Sequence, residues 1–180
     1  DDTVAIVGAG PVGFCLAQAL LATGVRRVVA LDRDTARLAL IASTGAEPVD
    51  VRATNPEMAL ARLTAGRGAD IAIDAVGASD AYATAGDIVR RGGRVVVVGM
   101  YTGETTELQL GVSWIRGINL VFAGETPVHA WWERTMDALA GGRLDPLPLV
   151  SHRLPIAEAP AGYRAFDRRS ATKVVLDPWA

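Results

Sequence analysis

The chain has 180 residues and a formal net charge of −2, with 50% hydrophobic and 21% charged residues, a balance that excludes a disordered chain and suits one domain with an appendage. Its 18 basic residues are dispersed, so no basic stripe is available to follow a nucleic-acid backbone. One cysteine, Cys15, excludes an internal disulfide framework and fits a reducing, cytoplasmic setting, and two histidines are too few for an ordinary zinc cage.

Strand-like apolar runs alternate with helix-like segments, as expected of parallel βαβ units. The first strand is Thr3–Val7, followed by a helix from Pro11 to Thr23, with proline at its first position and Gly24 at its end. The apolar stretch Val4–Val25 is not a membrane span, because Gly8, Gly10, Pro11 and Gly13 interrupt it. Arg27–Leu31 forms the second strand, about Thr35–Thr44 a helix, Glu47–Val49 a short third strand and about Asn55–Thr64 another helix. Ala69–Asp74 is the fourth strand. Ser79 is expected to cap a helix that runs to about Arg91 and stops at Gly92 and Gly93. Arg94–Val98 and Ile118–Ala123 are the fifth and sixth strands. Thr126 and Pro127 open a helix expected to bury Val128, Trp131 or Trp132, Thr135 or Met136, and Leu139, before Gly141 and Gly142 end it. Beyond Asp145 the rhythm changes to extended Leu147–Leu154, a short helix at about Ala157–Phe166 and a last strand Thr172–Leu176. The expected fold is an α/β doubly wound, parallel six-stranded sheet over residues 1–145, a Rossmann fold, with a C-terminal extension over 146–180.

The chemistry lies directly after the first strand, where Gly8, Gly10 and Gly13 fall in GxGxxG spacing and open onto a helix. The first glycine permits the tight turn, the second lets a pyrophosphate approach the backbone, and the third lets helix and strand pack closely. The helix N-terminus favours an anion by roughly 0.3–1 kcal/mol per charge. Asp32 ends the second strand, where a carboxylate can accept the ribose hydroxyls of an adenosine. A 2′-phosphate about 4 Å away would meet its like charge at a cost on the order of 1–4 kcal/mol, so NAD is expected over NADP. Arg33 and Arg37, close behind, are the residue type that pairs with a 2′-phosphate.

These segments carry a family resemblance. VAIVGAGPVG, VVALDRDTARLALIASTGAEPVD, GADIAIDAVGAS and VRRGGRVVVVGMYTGE resemble the nucleotide-binding half of the zinc-dependent medium-chain alcohol dehydrogenases. The tail LPLVSHRLPIAEAPAGYRAFDRR with TKVVLDP resembles the segment that returns in that family to the catalytic domain. The resemblance implies that Gly8, Gly10, Pro11, Val12 and Gly13 line the pyrophosphate, and that Asp32 and Arg37 hold the ribose. Val76 and Gly77 would flank the adenosine and its ribose, while Val98, Gly99 and Met100, with Phe122 and Ala123, would lie near the nicotinamide. Lys173, the chain's one lysine, would reach the pyrophosphate. The implied activity is hydride transfer between an alcohol or aldehyde and NAD(H), with zinc in the full-length parent and a homodimer formed through the sixth strand.

The family's zinc ligands lie upstream of the glycine motif, and neither they nor an initiator methionine is present, so a fragment of a longer protein is expected. Cys15 is expected in the core, and His129 and His152 lack ligand spacing, so no catalytic or metal-binding residue is assigned. The competing functional class is a non-catalytic NAD-sensing module, against which the returning tail argues.

Overall fold

The computed structural model describes residues 2–103 and 105–180. Six strands alternate with helices as β1 (Thr3–Val7), α1 (Pro11–Ala22), β2 (Arg27–Asp32), α2 (Thr35–Ala42), β3 (Glu47–Asp50), α3 (Pro56–Leu63), β4 (Ala69–Asp74), α4 (Ser79–Ile88), β5 (Val89–Val97), α5 (Leu110–Arg116), β6 (Asn119–Phe122) and α6 (Val128–Ala140). All six strands pair in parallel in the order β3-β2-β1-β4-β5-β6, with Ile6 opposite Ala30 on one side and Ile73 on the other. The winding reverses beside β1, and its neighbours β2 and β4 leave a crevice at their carboxyl ends, where ligands bind in such sheets.

Side chains alternate across the sheet and make two apolar layers. Ala5 and Val7 of β1 join Leu31, Leu60, Ile88 and Val95 on one face, while Ile6 joins Phe14, Val28, Leu38 and Ile41 on the other. Asp34 and Asn55 cap α2 and α3, accepting hydrogen bonds from first-turn amides. The C-terminal segment carries β7 (His152–Pro155), α7 (Ala159–Asp167) and β8 (Val174–Asp177), and β7 pairs with β8 in a separate two-stranded parallel sheet. Leu149, in a 3-10 turn before β7, is buried in the layer that holds Ile6 and Phe14. Gln18 on α1 holds the start of the segment by exchanging two 2.9 Å hydrogen bonds with the Asp145 backbone.

Several expectations change. Helix α4 ends at Ile88, and Ala78 rather than Ser79 occupies its cap. Gly92 and Gly93 do not follow a helix but lie inside β5, in a bulge opposite β4: β4 advances from Ala69 to Ile71 while β5 advances from Val89 to Arg94. Gly92 has φ +67°, and a Cβ on Gly93 would stand 3.0 Å from the Asp70 carbonyl oxygen, so the glycine pair lets the extra residues loop tightly against β4. Helix α5 is additional. Helix α6 starts at Val128 with Pro127 as its cap, and no residue on it is buried. Its apolar spacing marks a face without identifying what covers it. Cys15 is exposed on α1 rather than in the core. The tryptophans are all at the surface, from Trp131 at 49% exposure to Trp179 at 94%.

Candidate functional site

The loop from β1 to α1 is built by close backbone contact. Gly8 has φ +105°, and its amide donates to the Leu31 carbonyl at 2.8 Å. A Cβ on Gly13 would fall 2.0 Å from the Gly8 carbonyl oxygen, so only glycine lets α1 sit directly on the turn. Gly10 differs: a Cβ there would meet only Arg37 Nη1, at 3.8 Å. Gly10 also caps α1 without a side-chain acceptor, and Pro11 takes the first helical position. The open first turn, beside Arg37 and next to the partly exposed Val12, is a place for an anion.

Asp32 closes the loop from β2. Its Oδ2 accepts from the Ala9 amide at 2.7 Å, and Oδ1 accepts from the amides of Arg33 at 2.7 Å and Asp34 at 2.9 Å. A carboxylate offers about four acceptor sites, which leaves about one, on Oδ2, for a ligand hydroxyl. Gly8, Asp32, Arg33, Arg37 and Val76 line one cleft of about 990 Å³. The sequence reading did not anticipate Thr84 on α4, or Phe166 and Arg169 from the C-terminal segment, in the same cleft.

A second acid organises the other half. Asp74, fully buried at the end of β4, accepts from the amides of Val76 at 2.8 Å and Gly77 at 3.0 Å through Oδ1, and from the Tyr101 hydroxyl at 2.8 Å through Oδ2. Its backbone carbonyl accepts from the amides of Val98 and Gly99, both at 2.9 Å. Gly77 and Gly99 approach so closely that a Cβ on Gly99 would lie 2.0 Å from the Gly77 nitrogen. Asp74 thus gathers Val76, Gly77, Val98, Gly99 and the exposed Met100 at the carboxyl ends of β4 and β5. Ala123 joins them through a 2.9 Å bond from its amide to the Val97 carbonyl, following the exposed Phe122. Burial, then the neighbouring Asp74 carboxylate, pushes the Tyr101 hydroxyl far above the ordinary tyrosine range. An acid at the end of β4, matching Asp32 at the end of β2, was a signal open to sequence reasoning; nothing local marked Tyr101.

Lys173 does not line this cleft. It lies just before β8 beside Tyr163 and Phe166, and its charge reaches Cys15, opposing the rise in thiol pKa caused by local desolvation. Among the described residues no group of three histidine, cysteine, aspartate or glutamate side chains is placed to hold a metal ion, so this set does not fit a zinc centre. No helix among them is long and apolar enough to cross a membrane.

A family profile described as zinc-binding dehydrogenase matches residues 11–140. The chain belongs to that family. A Mycobacterium tuberculosis protein described as a probable zinc-binding alcohol dehydrogenase is 34% identical over 173 residues, which are 96% of this chain and 44% of that one. The alcohol dehydrogenase TADH of Thermus sp. ATN1 superposes with a TM-score of 0.92 at 36% identity, covering 97% of this chain and 50% of its own. A Sinorhizobium meliloti 1021 protein described as a zinc-binding dehydrogenase, solved bound to NADP, gives a TM-score of 0.86 at 26% identity, over 98% of this chain and 52% of that one. This zinc-binding dehydrogenase chain therefore spans about half the length of the curated relatives it matches, and it corresponds to their nucleotide-binding half.

Proposed function

We propose that the chain is the cofactor half of a zinc-dependent, NAD-linked alcohol or polyol dehydrogenase, with residues 1–145 holding the dinucleotide and 146–180 returning towards a catalytic domain. One observation carries the reading: the bare first turn of α1, framed by Gly8, Gly10 and Gly13, opens beside the Asp32 carboxylate at the reversal of the sheet. Gly8, Gly10, Pro11, Val12 and Gly13 would receive the pyrophosphate, and Lys173, just before β8 and with its charge felt at Cys15 on α1, is proposed to approach it from outside the Asp32 cleft. Asp32 would accept one ribose hydroxyl through its remaining site, flanked by Arg33 and Arg37. Val76 and Gly77 would bound the adenosine, and Val98, Gly99, Met100, Phe122 and Ala123 would bound the nicotinamide.

When bound, a nicotinamide cofactor supplies a centre that accepts or donates hydride. This chain's residues fix the ring's position, and the alcohol or aldehyde belongs to the proposed parent enzyme, as does zinc. A cytoplasmic setting is supported by the single exposed thiol, and a homodimer by the unpaired edge of β6. The test is calorimetric titration of the chain with NADH and NADPH. Saturable binding with NADH favoured is the expected result, and failure to bind either overturns the reading.

A further inference from the structure

We propose that Arg169, carried by the C-terminal segment, is a specificity-determining residue of the dinucleotide cleft that receives a 2′-phosphate on the adenosine ribose. The inference rests on the dinucleotide reading above and extends it to an element outside the six-stranded sheet.

Arg169 follows the end of α7 with φ +58°. That left-handed conformation closes the helix: the Arg169 amide donates to the Phe166 carbonyl and the Ser170 amide to the Ala165 carbonyl, both at 3.0 Å, a position that glycine most often takes. An arginine is held there nonetheless, and it lines the same cleft as Asp32, Arg33 and Arg37.

The charge arrangement specifies the ligand. The amide of Arg169 bonds to the Phe166 carbonyl, but its guanidinium makes no ion pair or side-chain hydrogen bond among the described residues. The Arg33 side chain is likewise unpaired among them, and Arg37 has only a 3.9 Å approach to Asp34. Asp34 is itself occupied in capping α2, accepting from the amides of Ala36 at 2.9 Å and Arg37 at 3.2 Å. Arg52, also in the cleft, is already paired with Asp50 at 3.4 Å. Of the four arginines that line the cleft, Arg33, Arg37 and Arg169 thus lack a close carboxylate partner among the described residues, and the Asp32 carboxylate in the same cleft is largely engaged by backbone amides. Asp80 and Asp167 line the cleft as well, and Asp80 accepts from the Ala81 amide. A phosphate monoester, with oxygens matched to the forked donors of arginine, is the anion this arrangement suits. Asp32 still favours an unphosphorylated ribose; Arg169 narrows that preference, so the chain accepts both cofactors.

The experiment is calorimetric titration of the chain with NADPH and with NADH, for the wild type and for Arg169→Ala, Arg169→Gly and Arg169→Lys. Both Arg169→Ala and Arg169→Gly should weaken NADPH about tenfold while NADH stays within about twofold, the loss expected of one charge-assisted contact. Arg169→Lys should retain most of the NADPH affinity, and the wild-type advantage should shrink as salt is added. Arg169→Gly relieves the left-handed backbone and keeps the fold, which separates lost recognition from lost structure. Equal weakening of both cofactors, unchanged affinities, or a wild type that takes NADH but no NADPH would overturn the role of Arg169 alone. A wild type that binds neither removes the dinucleotide reading together with it.

Discussion

Asp74 shows how one side chain can set the shape of a site without facing a ligand. It is fully buried, yet two backbone amides and the Tyr101 hydroxyl satisfy it, so the loops after β4 and β5 are tied to a single carboxyl group. Tyr101→Phe removes one of these donors and should lower stability by about 1–3 kcal/mol near neutral pH. The tyrosine also makes stability fall in alkali. Its folded pKa is raised, so its contribution is fully present below about pH 10, the unfolded value, and is lost as pH rises beyond it. Urea denaturation followed by far-ultraviolet circular dichroism should show a lower midpoint for Tyr101→Phe near neutrality and a flatter alkaline decline. A variant with the wild-type midpoint and the wild-type alkaline limb would contradict this role.

At the scale of elements, the bulge in β5 is fixed by charge as well as by its glycines. Asp70 is buried at the start of β4 and accepts from the Thr3 amide at 2.8 Å and from Arg90 Nε at 2.6 Å, with Arg67 at 3.6 Å. Burial, the largest influence, would raise the Asp70 pKa, but the Thr3 and Arg90 hydrogen bonds and the charges of Arg67 and Arg90 together hold it below the ordinary value. A carboxyl lowered in the folded state contributes stability above about pH 4 and loses it as pH falls through the folded value. Asp70→Asn should therefore destabilise the chain by about 1–3 kcal/mol near neutrality and flatten the acid limb, as read by urea denaturation at several pH values. The strands were legible because an uninterrupted apolar run suits burial on both faces of a parallel sheet, and Val95–Val97 is such a run. The bulge was not, since Gly92 and Gly93 read equally as a helix stop and as a turn inside a strand. In the site, the glycines and Asp32 were legible from local spacing. Phe166 and Arg169 reach the cleft from more than a hundred positions away, by a route that only tertiary packing defines.

At the scale of the whole molecule, the C-terminal segment is anchored against one face of the six-stranded sheet. Leu149 fills a place in the layer with Ile6, Phe14 and Ile41, and the Gln18–Asp145 hydrogen bonds fix the segment's start on α1. Leu149→Ala should cost about 2–5 kcal/mol, measured as a fall in the urea midpoint, and a surface-like effect below about half a kcal/mol would show that the segment is not anchored there. At the opposite edge, β6 leaves one side unpaired, with Phe122 66% exposed and Val121 41% exposed. Pairing of two such edges predicts a dimeric mass by light scattering at micromolar concentration, which a charged substitution at Val121 should shift towards the monomer. The surface position of all the tryptophans has a further, optical consequence. With all four tryptophans about half exposed or more, the folded chain should emit to the red of a protein with buried indoles, so its fluorescence should shift little on unfolding while its dichroism reports the loss of structure.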